Sequence, residues 1–131
     1  MKSDNLFDIC VLPGDGIGVE VTDVALQVVR AAVKKTGRLA LNFITQDAGA
    51  DLYLRTGNAM PDEAWRVAEE ADAIYLGAMG MPDVRYPDGT EIMPQLELRF
   101  KFDLYAGLRP VSTKRGARHI LSDPRAKDID F

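Results

Sequence analysis

Short apolar runs alternate with amphipathic stretches along the first hundred residues, and the alternation predicts the elements. Phe7–Leu12 is an apolar run closed by Pro13-Gly14, the pattern of a strand buried in a parallel sheet. Val21, Val24, Ala25, Val28, Val29, Ala32 and Val33 then recur at helical spacing, with Asp23, Gln27, Arg30 and Lys34 on the other faces. Lys34-Lys35 and Gly37 supply a basic last turn and a stop. Leu39–Ile44 predicts a second strand, and the polar, glycine-containing stretch from Asp47 to Gly57 predicts a loop. Pro61 with Asp62-Glu63 behind it marks a helix start, and Ala64, Val67, Ala68 and Ala71 share one face of that helix. It runs into Ala73–Gly77, a third strand.

The order β-α-β-α-β implies parallel strands joined by right-handed crossovers, hence an α/β layered fold with a mostly parallel sheet. Beyond Gly77 the stretch Ala78–Gly89 is irregular, with a turn at Asp88-Gly89. Ile92, Met93, Leu96 and Phe100 predict another helix starting near Thr90, Leu104–Val111 another strand, and Asp128–Phe131 the beginning of a last one.

Composition narrows the class. With 47% apolar and 27% charged residues and no low-complexity tract, the chain is globular rather than disordered. Its 131 residues suffice for a core without disulfides, and the single Cys10 lies inside the first apolar run as a small core residue. No run of about 18 apolar residues and no secretory signal is seen, so no membrane is expected as a partner and the expected location is cytoplasmic. A net charge of −4 argues against nucleic acid as a partner. The charge is uneven: residues 47–91 hold ten acids and three bases, residues 93–127 three acids and eight bases, so an anion site belongs to the second stretch.

Two features carry candidate chemistry. Pro13-Gly14-Asp15-Gly16-Ile17-Gly18 joins a strand to a helix, where backbone amides can approach a phosphate. Its G-x-G-x-G spacing is not the dinucleotide G-x-G-x-x-G, and Asp47 lies beyond the roughly 20-residue offset of a ribose ligand. The alternative is a tight structural turn with Asp15 capping the helix. The second feature is Arg99, at a predicted helix end, with Arg109, at a predicted strand end. Two guanidinium forks suit a dicarboxylic acid, while two surface arginines are the competing reading.

Three ordered segments settle the weighting: Leu12–Val21 around Gly-Asp-Gly-Ile-Gly, then Leu76-Gly77-Ala78-Met79-Gly80, then Leu98-Arg99 with Asp103–Val111. Together they resemble the isopropylmalate/isocitrate/tartrate dehydrogenase family of β-decarboxylating dehydrogenases over nearly the whole chain. The resemblance implies an amino-terminal portion of such an enzyme over residues 1–131. Residues 1–100 would hold β-α-β-α-β and the helix that sets specificity, and residues 101–131 would begin a second subdomain.

By the same resemblance Arg99 and Arg109 bind substrate, and Ile17, Ala78, Gly80, Met81 and Ile92 lie against NAD, leaving the turn glycines mainly structural. The implied reaction is NAD-dependent oxidation and decarboxylation of a malate-type 2-hydroxy diacid, most simply 3-isopropylmalate as in leucine biosynthesis, with Mg²⁺ or Mn²⁺ and as a homodimer. A tartrate/malate-type dehydrogenase, or an inactive fragment that binds diacid or nucleotide weakly, is the alternative. The third arginine, the catalytic tyrosine and lysine and the metal aspartates have no counterpart here: Tyr105, Asp123, Asp128, Asp130 and His119 match none of them. Val19 stands where the family has proline, and Ile92 and Met93 replace the acid or serine by which its members choose substrates. That bulky pair offers no donor to a third carboxylate.

Overall fold

A computed structural model describes residues 5–113 and 121–131. Three parallel strands form its sheet in the order β2-β1-β3: β1 is Leu6–Leu12, β2 Ala40–Thr45 and β3 Ala73–Leu76. β1 is central, pairing Phe7 with Leu41 on one side and Cys10 with Ile74 on the other. Cys10, Val11 and Leu12 are accordingly shut off from solvent entirely.

Alternation along β1 sends successive side chains to opposite faces. Cys10 and Leu12 join Ala64, Val67 and Ala68 of helix α3 (Asp62–Glu70) and Leu98 of helix α4 (Pro94–Lys101) in the main core. Val11 faces the other way and shares a cavity with Thr22 and Leu26 of α1 (Ile17–Thr36). The layered α/β arrangement expected from the alternating pattern is present, and burial pushes the Cys10 thiol up to about 11.

The long helix α1 docks by its small residues. Gly18 and Thr22 are its buried positions, whereas Val21, Val24 and Val28 are more than half exposed. Gly37 closes it in the left-handed conformation, as the sequence predicts.

Three expectations are corrected. The stretch Asp47–Gly57 contains a helix, α2 (Ala50–Thr56), because its first amides receive a carboxylate from a residue 35 positions earlier. The fourth helix begins at Pro94 rather than near Thr90, since proline opens a helix without needing its missing N–H. It stops at Phe102, and Asp103 turns the chain away at φ 51. Leu104–Val111 is not a strand: Leu104, Tyr105 and Leu108 are 51%, 97% and 92% exposed, and no neighbouring strand pairs with them among the described residues. Only its end is paired, Ser112 bridging antiparallel to Asp130 while the backbones of Val111 and Phe131 exchange hydrogen bonds. A one-turn-and-a-half 3₁₀ helix, Pro124–Asp128, with Asp123 capping it, precedes that bridge.

Candidate active site

The carboxyl ends of β1 and β3 and the amino end of α2 meet at one point, and Asp15 joins them. Its side chain is 95% removed from solvent and accepts three backbone N–H bonds: from Ala50 (2.9 Å), Asp51 (2.8 Å) and Gly80 (2.9 Å). Its own N–H donates to the Ala78 carbonyl at 2.9 Å. Asp15 therefore does not cap α1, as the sequence suggested. Gly16 occupies that position without any side-chain cap, and the carboxylate caps α2 from a distance instead. A short helix cannot supply its own cap when Gly49 precedes it, so the tertiary fold brings one.

The glycines of the turn serve this convergence. A Cβ on Gly14 would lie 2.1 Å from the Ala78 carbonyl oxygen, and one on Gly18 would lie 2.3 Å from the same atom. Gly14 also sits at φ +80, where a side chain is strained. Their role is contact between the turn and the exit from β3.

That exit leads into a loop that folds back on itself. Arg85 bridges antiparallel to Glu91 with a 2.8 Å ion pair, and Gly89 closes the turn onto the Tyr86 carbonyl. Tyr86 stands edge-on to Tyr53 of α2 at 5.2 Å and donates to Glu97 of α4. Burial and the Glu97 carboxylate both raise its phenol above the ordinary tyrosine value. Ile92, 1% exposed, locks the loop into a second core with Ala50 and Ala59.

Between this loop and the start of α4 lies a cavity of about 290 Å³, walled by Met79, Gly80, Met81, Ile92, Met93 and Gln95 among others. Three residues singled out in the sequence, Gly80, Met81 and Ile92, thus line one space. Ala78 is exposed beside it, and Ile17, 63% exposed, projects from the first turn of α1. Gln95 was not singled out; its signal was a lone polar side chain in an apolar helix start.

Arg99 and Arg109 are exposed, the first in the last turn of α4, the second in the unpaired segment after it. Arg55, Arg66, Arg85 and Arg125 are each committed to carboxylates. Among the described residues Arg99 and Arg109 hold none, so both forks are open to an anion. No contact between them fixes their separation. His119, with Arg115 and Arg118, lies outside the described residues.

The family model for isocitrate/isopropylmalate dehydrogenase matches residues 8–131. The chain belongs to the isocitrate/isopropylmalate dehydrogenase family. It is 41% identical over 127 residues to a tartrate dehydrogenase/decarboxylase of Pseudomonas putida, covering 95% of this chain and 34% of that protein. It is 40% identical over 115 residues to a 3-isopropylmalate dehydrogenase of Thermotoga maritima, covering 86% and 32%.

Solved structures agree. A β-decarboxylating dehydrogenase from Thermococcus kodakarensis superposes with a TM-score of 0.68 at 34% identity, covering 86% of this chain and 31% of that one. The isocitrate dehydrogenase of Methylococcus capsulatus gives 0.74 at 26% identity, covering 95% and 32%. The chain spans about a third of the length of these family members.

Proposed function

We propose that this chain supplies the amino-terminal part of an NAD-dependent, β-decarboxylating dehydrogenase acting on a malate-type 2-hydroxy diacid, 3-isopropylmalate-like or tartrate-like. The observation that carries the reading is the pair Arg99 and Arg109, two exposed guanidinium groups without carboxylate partners among the described residues, in a chain of this family. A planar fork gives a carboxylate two charge-assisted hydrogen bonds, so the two arginines hold and orient the carboxylate that departs.

NAD, when bound, accepts the hydride from the hydroxyl-bearing carbon. On this reading the exposed side chains of Ile17 and Met81, the Ala78–Gly80 backbone and Ile92 are the groups that would lie against it. Asp15 keeps that backbone in place through Gly80. A divalent cation does not fit the described residues, which contain no group of three or more His, Cys, Asp or Glu able to hold one. No step of the reaction runs through a metal held by these residues.

On this reading the reaction serves leucine biosynthesis when the substituent is isopropyl, and the full-length protein works in the cytoplasm as a homodimer. The test is expression of the complete reading frame that contains this sequence. With NAD, Mg²⁺ and malate, tartrate or 3-isopropylmalate it should form NADH and CO₂, and Arg99→Ala should depress kcat/KM at least about a hundredfold. A frame that closes after Phe131, or NADH formation unaffected by Arg99→Ala, contradicts the reading. The 131 residues alone should turn nothing over.

A further inference from the structure

Two walls of the cavity beside α4, Gly80 and Ile92, are held by the same support, the amino end of α2. Asp15 takes the N–H groups of Ala50 and Gly80 on a single oxygen, Oδ2, each at 2.9 Å, and that of Asp51 on Oδ1 at 2.8 Å. At the far end of the loop Ile92 packs with Ala50 and Ala59, and midway along it Tyr86 stands edge-on to Tyr53 of α2. Asp15, Ala50 and Asp51 themselves line no part of the cavity.

An oxygen that accepts two N–H groups at once ties their positions together. If Gly80 moves away, the carboxylate follows it or loses it, and the cap of α2 changes in either case. The carboxylate has little freedom to adjust, because a Cβ on Gly49 would already lie 2.4 Å from Oδ1. Asp15 is also buried, so water does not replace a bond that is lost.

We propose that Asp15 is a positioning residue that couples NAD binding to α2. A cofactor seated against Gly80 and Ile92 tightens the amino end of α2, and loss of the α2 cap weakens the hold on the cofactor. The proposal rests on the NAD reading above and adds to it a helix outside the cavity. Coupling between two sites is reciprocal, so either half can be measured.

The test uses the protein expressed from its complete reading frame, with NAD alone. Hydrogen exchange read by mass spectrometry should slow about fivefold or more at Ala50 and Asp51, as well as at Gly80, when NAD is added. Asp15→Asn, which leaves one accepting oxygen for three N–H groups, should raise the NAD dissociation constant about tenfold in calorimetry and remove the slowing at Ala50 and Asp51. Val67→Ala, which loosens the main core at α3 instead, should leave that constant within about twofold. Slowing confined to Gly80, an unchanged constant in Asp15→Asn, or an equal rise in Val67→Ala overturns the coupling and leaves the NAD reading standing. A wild type that binds no NAD overturns both. If Asp15→Asn does not fold, the exchange comparison on the wild type decides by itself.

Discussion

Residues 5–102 and the segments after them differ in how much of their backbone and apolar surface has a partner. In the first region every strand is paired, two cores enclose Leu12 and Ile92, and a single buried carboxylate ties three loops together. In the second, Leu104, Tyr105 and Leu108 are exposed, and the bridge from Ser112 to Asp130 is the tie between its two described stretches. The second region is the less apolar in sequence, 11 residues of 29 against 49 of 98, yet it still holds the strand pattern Leu104–Val111; what that pattern lacks is neighbours. A strand pattern becomes a strand only when another strand accepts its hydrogen bonds, and burial follows pairing. The proposed division of labour follows the same line: the first region builds the cavity and aims Arg99, and the second carries Arg109.

If this contrast is right, substitutions should weigh very differently on its two sides. The largest effect belongs to Leu12→Ala, which empties the centre of the main core: unfolding free energy should fall by about 2–5 kcal/mol in urea titrations followed by circular dichroism. A loss under about 1 kcal/mol would mean that this core is not the stabilising one.

Next comes Asp15→Asn, which removes the charge from a carboxylate accepting three backbone amides. It should cost about 2 kcal/mol. It should also deprotect the amides of Ala50, Asp51 and Gly80 to hydrogen exchange while those of β1 stay slow. Uniform deprotection would contradict a local clamp.

An effect absent at neutral pH is written in the alkaline range. The Cys10 thiol is held protonated in the fold, with its pKa raised from 9.0 to about 11, so the unfolded chain loses its proton first as pH rises. Stability from this group is intact below pH 9 and should decline by about 1.4 kcal/mol per pH unit until about 11. Cys10→Ala should flatten that decline, as measured by melting temperature across the alkaline range.

The smallest belongs to the second region: Leu108→Ala, 92% exposed before the change, should alter stability by less than about 0.5 kcal/mol. A large loss would show that the exposed segment is packed in solution.

Much of this was legible in the residues. The three strands, the helices α1 and α3, the stop at Gly37, the buried Cys10 and the turn at Asp88-Gly89 follow from apolar periodicity and from glycine and proline chemistry, which act over a few residues and can be seen there. Gly80, Met81 and Ile92, to which the family resemblance points, line one cavity. The buried, unpartnered side-chain oxygen of Gln95 was not legible, because nothing in a sequence says that an amide oxygen will lack a partner.

Sequence alone also left the orientation of α1 undecided. Periodicity showed that valines recur, but which face meets the sheet depends on how closely Gly18 and Thr22 can approach Pro13, Gly77 and Ala78, a matter of contact between distant segments. The same holds for Asp15, whose carboxylate stabilises a helix 35 residues downstream, and for the unpaired stretch after α4. Local propensities thus determined the three strands and helices α1 and α3 of this protein. The tertiary structure decided which faces are buried, where α2 begins and which polar groups stay unsatisfied, because hydrogen-bond satisfaction and close packing depend on atoms brought together from far apart in the chain.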